Sequence, residues 1–333
     1  MANSRQPSPV PTRTILVVVF EDFLLLDAAG PIQVFATAND EAVTRGDKRP
    51  RYRIRAVSPS GGPIRSSSGV TLGTEPLPAA ARTRGATIIV VGGPGVHCDQ
   101  GRGRLVEWVR KASVGAERTC SVCTGAFIVA RTGLMDGGEA VTHWRDVADF
   151  RREFPGVTVR ADALFVRSGR VHSSAGVTAG IDLCLSLLEQ DQGREFTLAV
   201  AKRLVVHRKR PGGQLQFSSE LLAQSAPASS FGELVRELRE KPALPWSVER
   251  MAGAVHMSTR TFHRRFAEAL GMSPLQYLAN VRLEIACALI ERERTPLKSV
   301  ARQAGFGTEV NMKNAFARRL GVTPTQYLAR FRG

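Results

Sequence analysis

The sequence has no apolar run long enough to cross a bilayer. Its longest, Ile15 to Phe20, falls far short of the roughly 20 residues that a membrane helix needs. No basic-then-apolar segment opens the chain, so no secretion signal is read. Cysteine is sparse, five in 333 residues, which argues for a reducing cytoplasm rather than a disulfide framework. Acidic residues are also scarce. Only 30 Asp+Glu stand against 46 Lys+Arg, leaving a net charge of +16. An excess of that size points to a polyanionic partner. Charge alone does not separate that reading from a merely solvated basic surface.

Its distribution narrows the choice. Residues 231–333 hold 17 Lys+Arg and 9 Glu, a net +8, and the other +8 is spread over more than twice that length. A chain of 333 residues suits two domains. Residues 1–12, rich in Ser and Pro, read as a disordered start. Residues 13–210 form the first domain, 211–228 have linker composition, and 229–333 form the second. The basic run with Lys202-Arg203 and Arg208-Lys209-Arg210 extends the first domain or is a solvated face.

The first domain alternates strand-like and helix-like segments. Ile15–Phe20 and Thr87–Val91 are apolar on both faces, and Tyr52–Val57 alternates at period two. Phe23–Ala38 reads as a loop and helix, Arg104–Ser113 and Gly125–Gly133 as helices, and Thr119–Val122 as a strand. The pattern predicts an α/β fold, a doubly wound parallel sheet covered on both faces. Its most specific feature is Ser121-Val122-Cys123-Thr124-Gly125-Ala126-Phe127. There a nucleophile-type side chain sits between a strand and a helix, with small residues following, as a nucleophile elbow requires. A helix N-terminus also favours a thiolate. His143 follows in Thr142-His143-Trp144, and Asp27 after the first strand is placed to face the same crevice. Gly92-Gly93-Pro94-Gly95 offers backbone N–H groups to an anion or is simply a turn. Cys120 and Cys123 have the spacing of a redox pair or half a zinc site, but no second pair sits at finger spacing. Cys98, Cys184 and Cys287 read as packing residues. No metal and no cofactor is implied.

These stretches resemble the PfpI-like branch of the class I glutamine amidotransferase-like superfamily. They are Asp27–Pro31, Gly92–Gly95, Val122–Phe127, Gly133–Gly137 with Thr142–Trp144, and Ser174–Gly176 with Gly180–Asp182. The resemblance implies Cys123 as nucleophile, His143 as its base and Asp27 as an acidic contact. Joined to a second, basic domain, the three are expected as vestigial or ligand-pocket residues rather than a catalytic set.

The second domain contains one pattern written twice. Phe266, Gly271, Pro274, Gln276 and Tyr277 recur as Phe316, Gly321, Pro324, Gln326 and Tyr327. Each copy pairs a short helix, a turn and a second helix, giving helix-turn-helix units at 247–270 and 296–320. Ser258 caps a helix whose Phe262, Phe266 and Ala269 face inward. Thr259, Arg260, Thr261, His263, Arg264 and Arg265 then project outward. Thr308 caps the second such helix, with Val310, Ala315 and Phe316 inward and Glu309, Asn311, Lys313 and Asn314 outward. Thr308, Glu309, Asn311 and Lys313 join the six as expected DNA contacts. Arg on such a face bonds guanine bidentately in the major groove. A long helix through Leu278, Arg282, Ile285 and Leu289 joins the units.

Met257–Phe266, Gly305-Phe306 and Gly321–Tyr327 resemble the AraC/XylS family. A PfpI-like domain ahead of such a domain resembles the GlxA group of regulators and, within it, the AdpA-like activators. The expected function is a cytoplasmic, nucleoid-associated activator of bacterial promoters. Its expected partners are double-stranded DNA, a second copy of the chain, a small-molecule effector and RNA polymerase, with no membrane. The alternative is a cysteine-dependent amidase or hydrolase fused to a DNA-binding domain.

Overall fold

In the computed structural model, residues 12–98, 102–161, 163–206, 231–270, 272–292 and 295–332 are described. The expected disordered start apart from Thr12, the expected linker and the run Arg208–Arg210 lie outside the described residues. The chain divides into two compact units, Met1–Gln216 and Phe217–Gly333.

Strands buried on both faces organise the first unit. They include β1 (Arg13–Val18), β5 (Thr87–Val90) and β6 (Arg118–Val122). The remaining strands are β2 (Tyr52–Ser58), β3 (Gly62–Arg65), β4 (Thr71–Pro76), β7 (Glu139–Ala140), β8 (Thr158–Val159), β9 (Phe165–Ser168) and β10 (Val171–Ser174). Eight form one sheet in the order β3-β4-β2-β1-β5-β6-β10-β9. Its centre, β2-β1-β5-β6-β10, is parallel throughout, with Ile15 opposite both Ile54 and Thr87. This is the doubly wound arrangement predicted from the sequence. The edges differ: β3 pairs β4 and β9 pairs β10 in antiparallel fashion. β3 and β4 include Gly62, Pro63 and Gly73 and are largely exposed, so they lack the apolar run that marks a buried strand.

Helices α1 (Leu25–Thr44), α5 (Thr178–Gln192) and α6 (Arg194–Arg203) pack together. Helices α2 (Arg102–Gly115) and α3 (Gly125–Ala130) pack with each other, and α4 is Val147–Glu153. Right-handed crossovers place the first group and the α2/α3 pair on opposite sheet faces. α1 continues six residues past the predicted end at Ala38. Ala42 remains buried there, and Glu41 binds both Arg45 and Arg203. α3 ends at Ala130, earlier than predicted.

The second unit contains α7 (Phe231–Glu240), α8 (Val248–Ala254), α9 (Thr259–Leu270) and α10 (Pro274–Arg292). It continues with α11 (Leu297–Gln303), α12 (Glu309–Leu320) and α13 (Pro324–Arg332). It has two separate cores. One gathers Phe231, Leu234, Leu238, Met251, Phe262, Phe266 and Tyr277. The other gathers Leu283, Cys287, Val300, Met312, Phe316, Leu320 and Tyr327. α10 supplies Leu278 and Val281 to the first and Leu283, Ala286, Cys287 and Ile290 to the second, and Ile285 packs on both. The same edge-on contact closes each core: Tyr277 on Phe266 with centroids 5.8 Å apart, and Tyr327 on Phe316 at 5.5 Å.

Two inward assignments are corrected. Ala269 and Val310 are exposed. The buried rows are Phe262, Phe266, Leu270 and Met312, Phe316, Leu320, each stepping by four along one helix face. Val310 lies two residues before Met312, about 200° round the helix and so on its far side.

The repeat is also offset unevenly. Met251 and Ala252 correspond to Val300 and Ala301, 49 residues on, whereas Phe262 and Phe266 correspond to Met312 and Phe316, 50 residues on. The second turn therefore holds one more residue. Its Gly305, at φ 85°, takes the place of His256, at φ 53°. A Cβ on Gly305 would lie 2.2 Å from the Pro242 carbonyl oxygen and 2.8 Å from Arg282 Nε. Arg282 itself donates to Pro242 O at 3.0 Å and Leu244 O at 3.2 Å. The loop after α7 is thus held by the joining helix and abutted by the second turn. Gly305→Ala is expected to destabilise the second unit by roughly 2 kcal/mol or more, from the left-handed backbone and the clash together. Urea unfolding of the full chain checks this, and an unchanged transition for that unit would contradict it.

Candidate functional site

In the first unit the site lies at the C-terminal ends of β1, β5, β6 and β10, where doubly wound sheets bind ligands. Cys123 follows β6 directly and takes φ 56°, a left-handed conformation rare for a side chain with a Cβ. It is pinned from both sides. Its N–H donates to Ser174 O at 3.0 Å, and its carbonyl accepts from Thr142 Oγ1 at 3.1 Å. A Cβ on Gly176 would come within 2.3 Å of the Cys123 Cβ and 2.8 Å of its sulfur, so glycine is required there. The elbow predicted from the sequence is therefore present, held by tight packing.

Asp27, on α1, is fully buried beside it. Its carboxylate accepts from Val177 N–H at 2.7 Å and Gly92 N–H at 3.2 Å, and from the Cys123 thiol. Burial pushes the Asp27 carboxyl up to about 6, outweighing these bonds. Val177 has φ 51°, so a second left-handed residue aims its N–H at the same carboxylate. The Cys123 thiol is also pushed well up, first by burial and then by the charges of Asp27 and Asp146. The expected dipole-favoured thiolate is thus overruled: α3 is a single short helix, and an apolar, acidic neighbourhood opposes its field.

His143 is near this centre but turned to another partner. Its Nδ1 lies 3.4 Å from Asp146 Oδ2, and burial holds the imidazole below its usual range. The backbone N–H groups of the glycine turn are occupied internally. Gly92 donates to Asp27 and Gly93 to Thr124 Oγ1 at 2.9 Å, so the anion reading of those two donors is withdrawn. Thr142 and Gly176 were quoted from the sequence only as parts of matching stretches, with no role, and Asp146 and Val177 were not singled out. Only the spacing of Asp146 from His143, one helical turn, could have signalled one of them. Cys120 lies in the middle of β6 and is fully buried, its thiol pushed up to about 12. Cys184 and Cys287 are packed, but Cys98 is exposed, contrary to its packing assignment. Cys98 stands just after a short helical turn, outside any strand or helix face that would bury it.

In the second unit the two helix N-termini are built alike. Ser258 Oγ accepts from Thr261 N–H at 3.3 Å, and Thr308 Oγ1 from Asn311 N–H at 3.2 Å, as the caps read from the sequence require. Thr259, Arg260, His263, Arg264 and Arg265 are exposed. Thr261 is half-buried, and its hydroxyl accepts from Ser258 Oγ. Arg264 is held by Glu268 at 2.8 Å, an exposed pair of small energetic weight. Thr308, Glu309, Asn311 and Lys313 are exposed, and Asn311 Nδ2 donates to Phe306 O at 3.1 Å.

Two measurements follow from the crevice. Unfolded aspartate titrates near 3.9 and folded Asp27 near 6, so its neutral form stabilises the fold below about pH 4. That contribution is lost as pH rises through about 6. The stability of wild type relative to Asp27→Asn is expected to fall by about 2 kcal/mol between pH 4 and 7. A pH-independent gap in thermal unfolding would contradict the assignment. Separately, iodoacetamide at pH 7.5 is expected to label Cys98 at least about tenfold faster than Cys123, since the thiolate is the reactive form. Peptide mass spectrometry checks it, and faster labelling at Cys123 would restore the nucleophile.

The DJ-1/PfpI family model matches residues 13–190, and a helix-turn-helix domain model matches residues 251–330. Over 300 residues the chain is 27% identical to the HTH-type transcriptional regulator GbdR of Pseudomonas aeruginosa, covering 88% of this chain and 78% of that one. Over 307 residues it is 26% identical to the HTH-type transcriptional regulator GlxA of Rhizobium meliloti, covering 90% and 91%. A solved structure of a THiJ/PfpI family protein from Pseudomonas syringae shares the fold, with TM-score 0.51 and 21% identity over 71% of this chain and 92% of that one. The chain belongs to the DJ-1/PfpI family, and its second unit is an AraC-type helix-turn-helix domain.

Proposed function

We propose that this protein is a sequence-specific regulator of transcription that binds duplex DNA through α9 and α12. One observation carries the reading. Two helices in one unit, each capped by a hydroxyl and seated on its own aromatic core, turn their first turns to solvent, with Thr259 and Arg260 exposed on α9 and Glu309, Val310 and Asn311 exposed on α12. That is how a recognition helix is presented to a major groove. The relatives named as HTH-type transcriptional regulators support it, because they align over both units.

The first unit acts as a dimerisation and sensing module in this reading. A second copy doubles the DNA-binding units on paired sites through effective concentration. A small-molecule effector occupies the crevice at Asp27 and Cys123, and the output is activation through RNA polymerase at the promoter. Turnover by a cysteine hydrolase is disfavoured, since the buried Cys123 thiol is pushed well up and donates to Asp27 rather than to a base. Sensing requires only that the effector bind two states of the protein unequally.

Arg260 provides the direct test. It is exposed on the first turn of α9, and a bidentate contact to guanine is worth ~1–3 kcal/mol of discrimination. Arg260→Ala is expected to weaken binding to a duplex selected from a random library by about 5- to 150-fold. On a scrambled duplex at matched salt the loss should stay under about threefold. Equal losses on both duplexes would make Arg260 a phosphate contact and remove the support for base reading by α9.

A further inference from the structure

The cap-to-core register of α9 repeats in α12 at an offset of 50. Ser258 and Thr308 cap, Phe262 and Met312 are buried, then Phe266 and Phe316, then Leu270 and Leu320. The extra residue in the second turn precedes both caps, so it leaves this register intact. Position for position, Thr259 corresponds to Glu309, Arg260 to Val310, Thr261 to Asn311 and His263 to Lys313. Val310 therefore stands where the first helix presents Arg260. It is 66% exposed, on the side of α12 away from the buried row Met312, Phe316 and Leu320. Among the described residues of the second unit, the other exposed large apolar residue, Leu275, is on α10. The neighbours of Val310 are committed or charged: Thr308 Oγ1 caps, Asn311 Nδ2 bonds Phe306 O, and Glu309 and Lys313 are charged.

Resting on the regulator reading, we propose that Val310 reads the C5-methyl group of a thymine in the major groove. The two helices would then recognise different chemistry from equivalent positions. Arg260 donates to the O6 and N7 acceptors of guanine, and Val310 makes the apolar contact that only thymine offers. Glu309 beside it disfavours close phosphate approach, so the first turn of α12 contributes selectivity rather than charge-driven affinity. The bipartite site would hold a guanine-centred segment under α9 and a thymine-centred segment under α12.

Deoxyuridine isolates the contact, because it lacks the methyl group and keeps every hydrogen-bonding group of thymine. The probe is a duplex selected by the full-length protein from a random-sequence library, with thymines replaced one at a time. At one position in the segment that does not depend on Arg260, wild type is expected to bind about fourfold more weakly. That is the loss of one buried methyl, ~0.8 kcal/mol. Val310→Ser should abolish this sensitivity at that position and leave the response to Arg260→Ala unchanged. Val310→Ile, which keeps an apolar tip, should retain it, and Val310→Arg should move the preference there toward guanine. The side chain is exposed, so thermal unfolding of the variants should match wild type. The proposal is overturned if no uridine weakens binding by more than about twofold, or if Val310→Ser keeps the wild-type sensitivity. A protein that selects no sequence at all would instead remove the regulator reading on which the proposal rests.

Discussion

The DNA-reading unit depends on a single helix being shared by two cores. Pro274–Arg292 packs its first half under Phe262 and Phe266 and its second half under Phe316, with Ile285 touching both. Neither helix-turn-helix can bury its apolar row without it. Sharing also fixes how the two reading helices are placed relative to each other, because a helix of 19 residues is stiff over its length. The Arg282 guanidinium and the Gly305 backbone meet at the Pro242 carbonyl and remove the remaining freedom. Recognition by two helices is useful only if their separation is fixed. Here the fixing is done by apolar burial and the carbonyls of Pro242 and Leu244, with no ion pair buried between the halves among the described residues.

The first unit shows the opposite economy. Its crevice places a carboxyl, a thiol and two left-handed residues where bulk water is excluded. Each left-handed residue costs of order 1–3 kcal/mol, so the surrounding sheet must over-determine the geometry. The hydrogen bonds to side chains in the crevice converge on the Asp27 carboxylate rather than on the Cys123 sulfur. The carboxyl is therefore the organising group, and the thiol is one of its donors. A site of this kind is suited to discriminating among ligands, since an incoming group must replace satisfied hydrogen bonds in an apolar setting.

Much of this was legible in the sequence because it rests on local rules. Strands apolar on both faces announced the parallel sheet, and Ser258 and Thr308 announced helix starts that the structure confirms. The Cys123 elbow was legible because small residues must follow such a turn. What was not legible depends on three dimensions. Val310 and Ala269 are apolar, but the buried rows step by four and exclude both. Thiol chemistry was misjudged from the helix end alone, because the burial that chiefly raises Cys123, and the charge of Asp146 23 residues on, exist only in the folded unit. The antiparallel edge strands carry no apolar run, and only their pairing identifies them.

The protonated Cys123 thiol also has a consequence for oxidative chemistry. Peroxide attacks thiolates, and a sulfur kept protonated and buried stays at the bottom of the ladder that leads through sulfenic to sulfinic acid. Cys120 and Cys184, fully buried in the same unit, are protected in the same way. The crevice therefore keeps its shape and polarity in the presence of oxidant, because its buried sulfur stays a thiol.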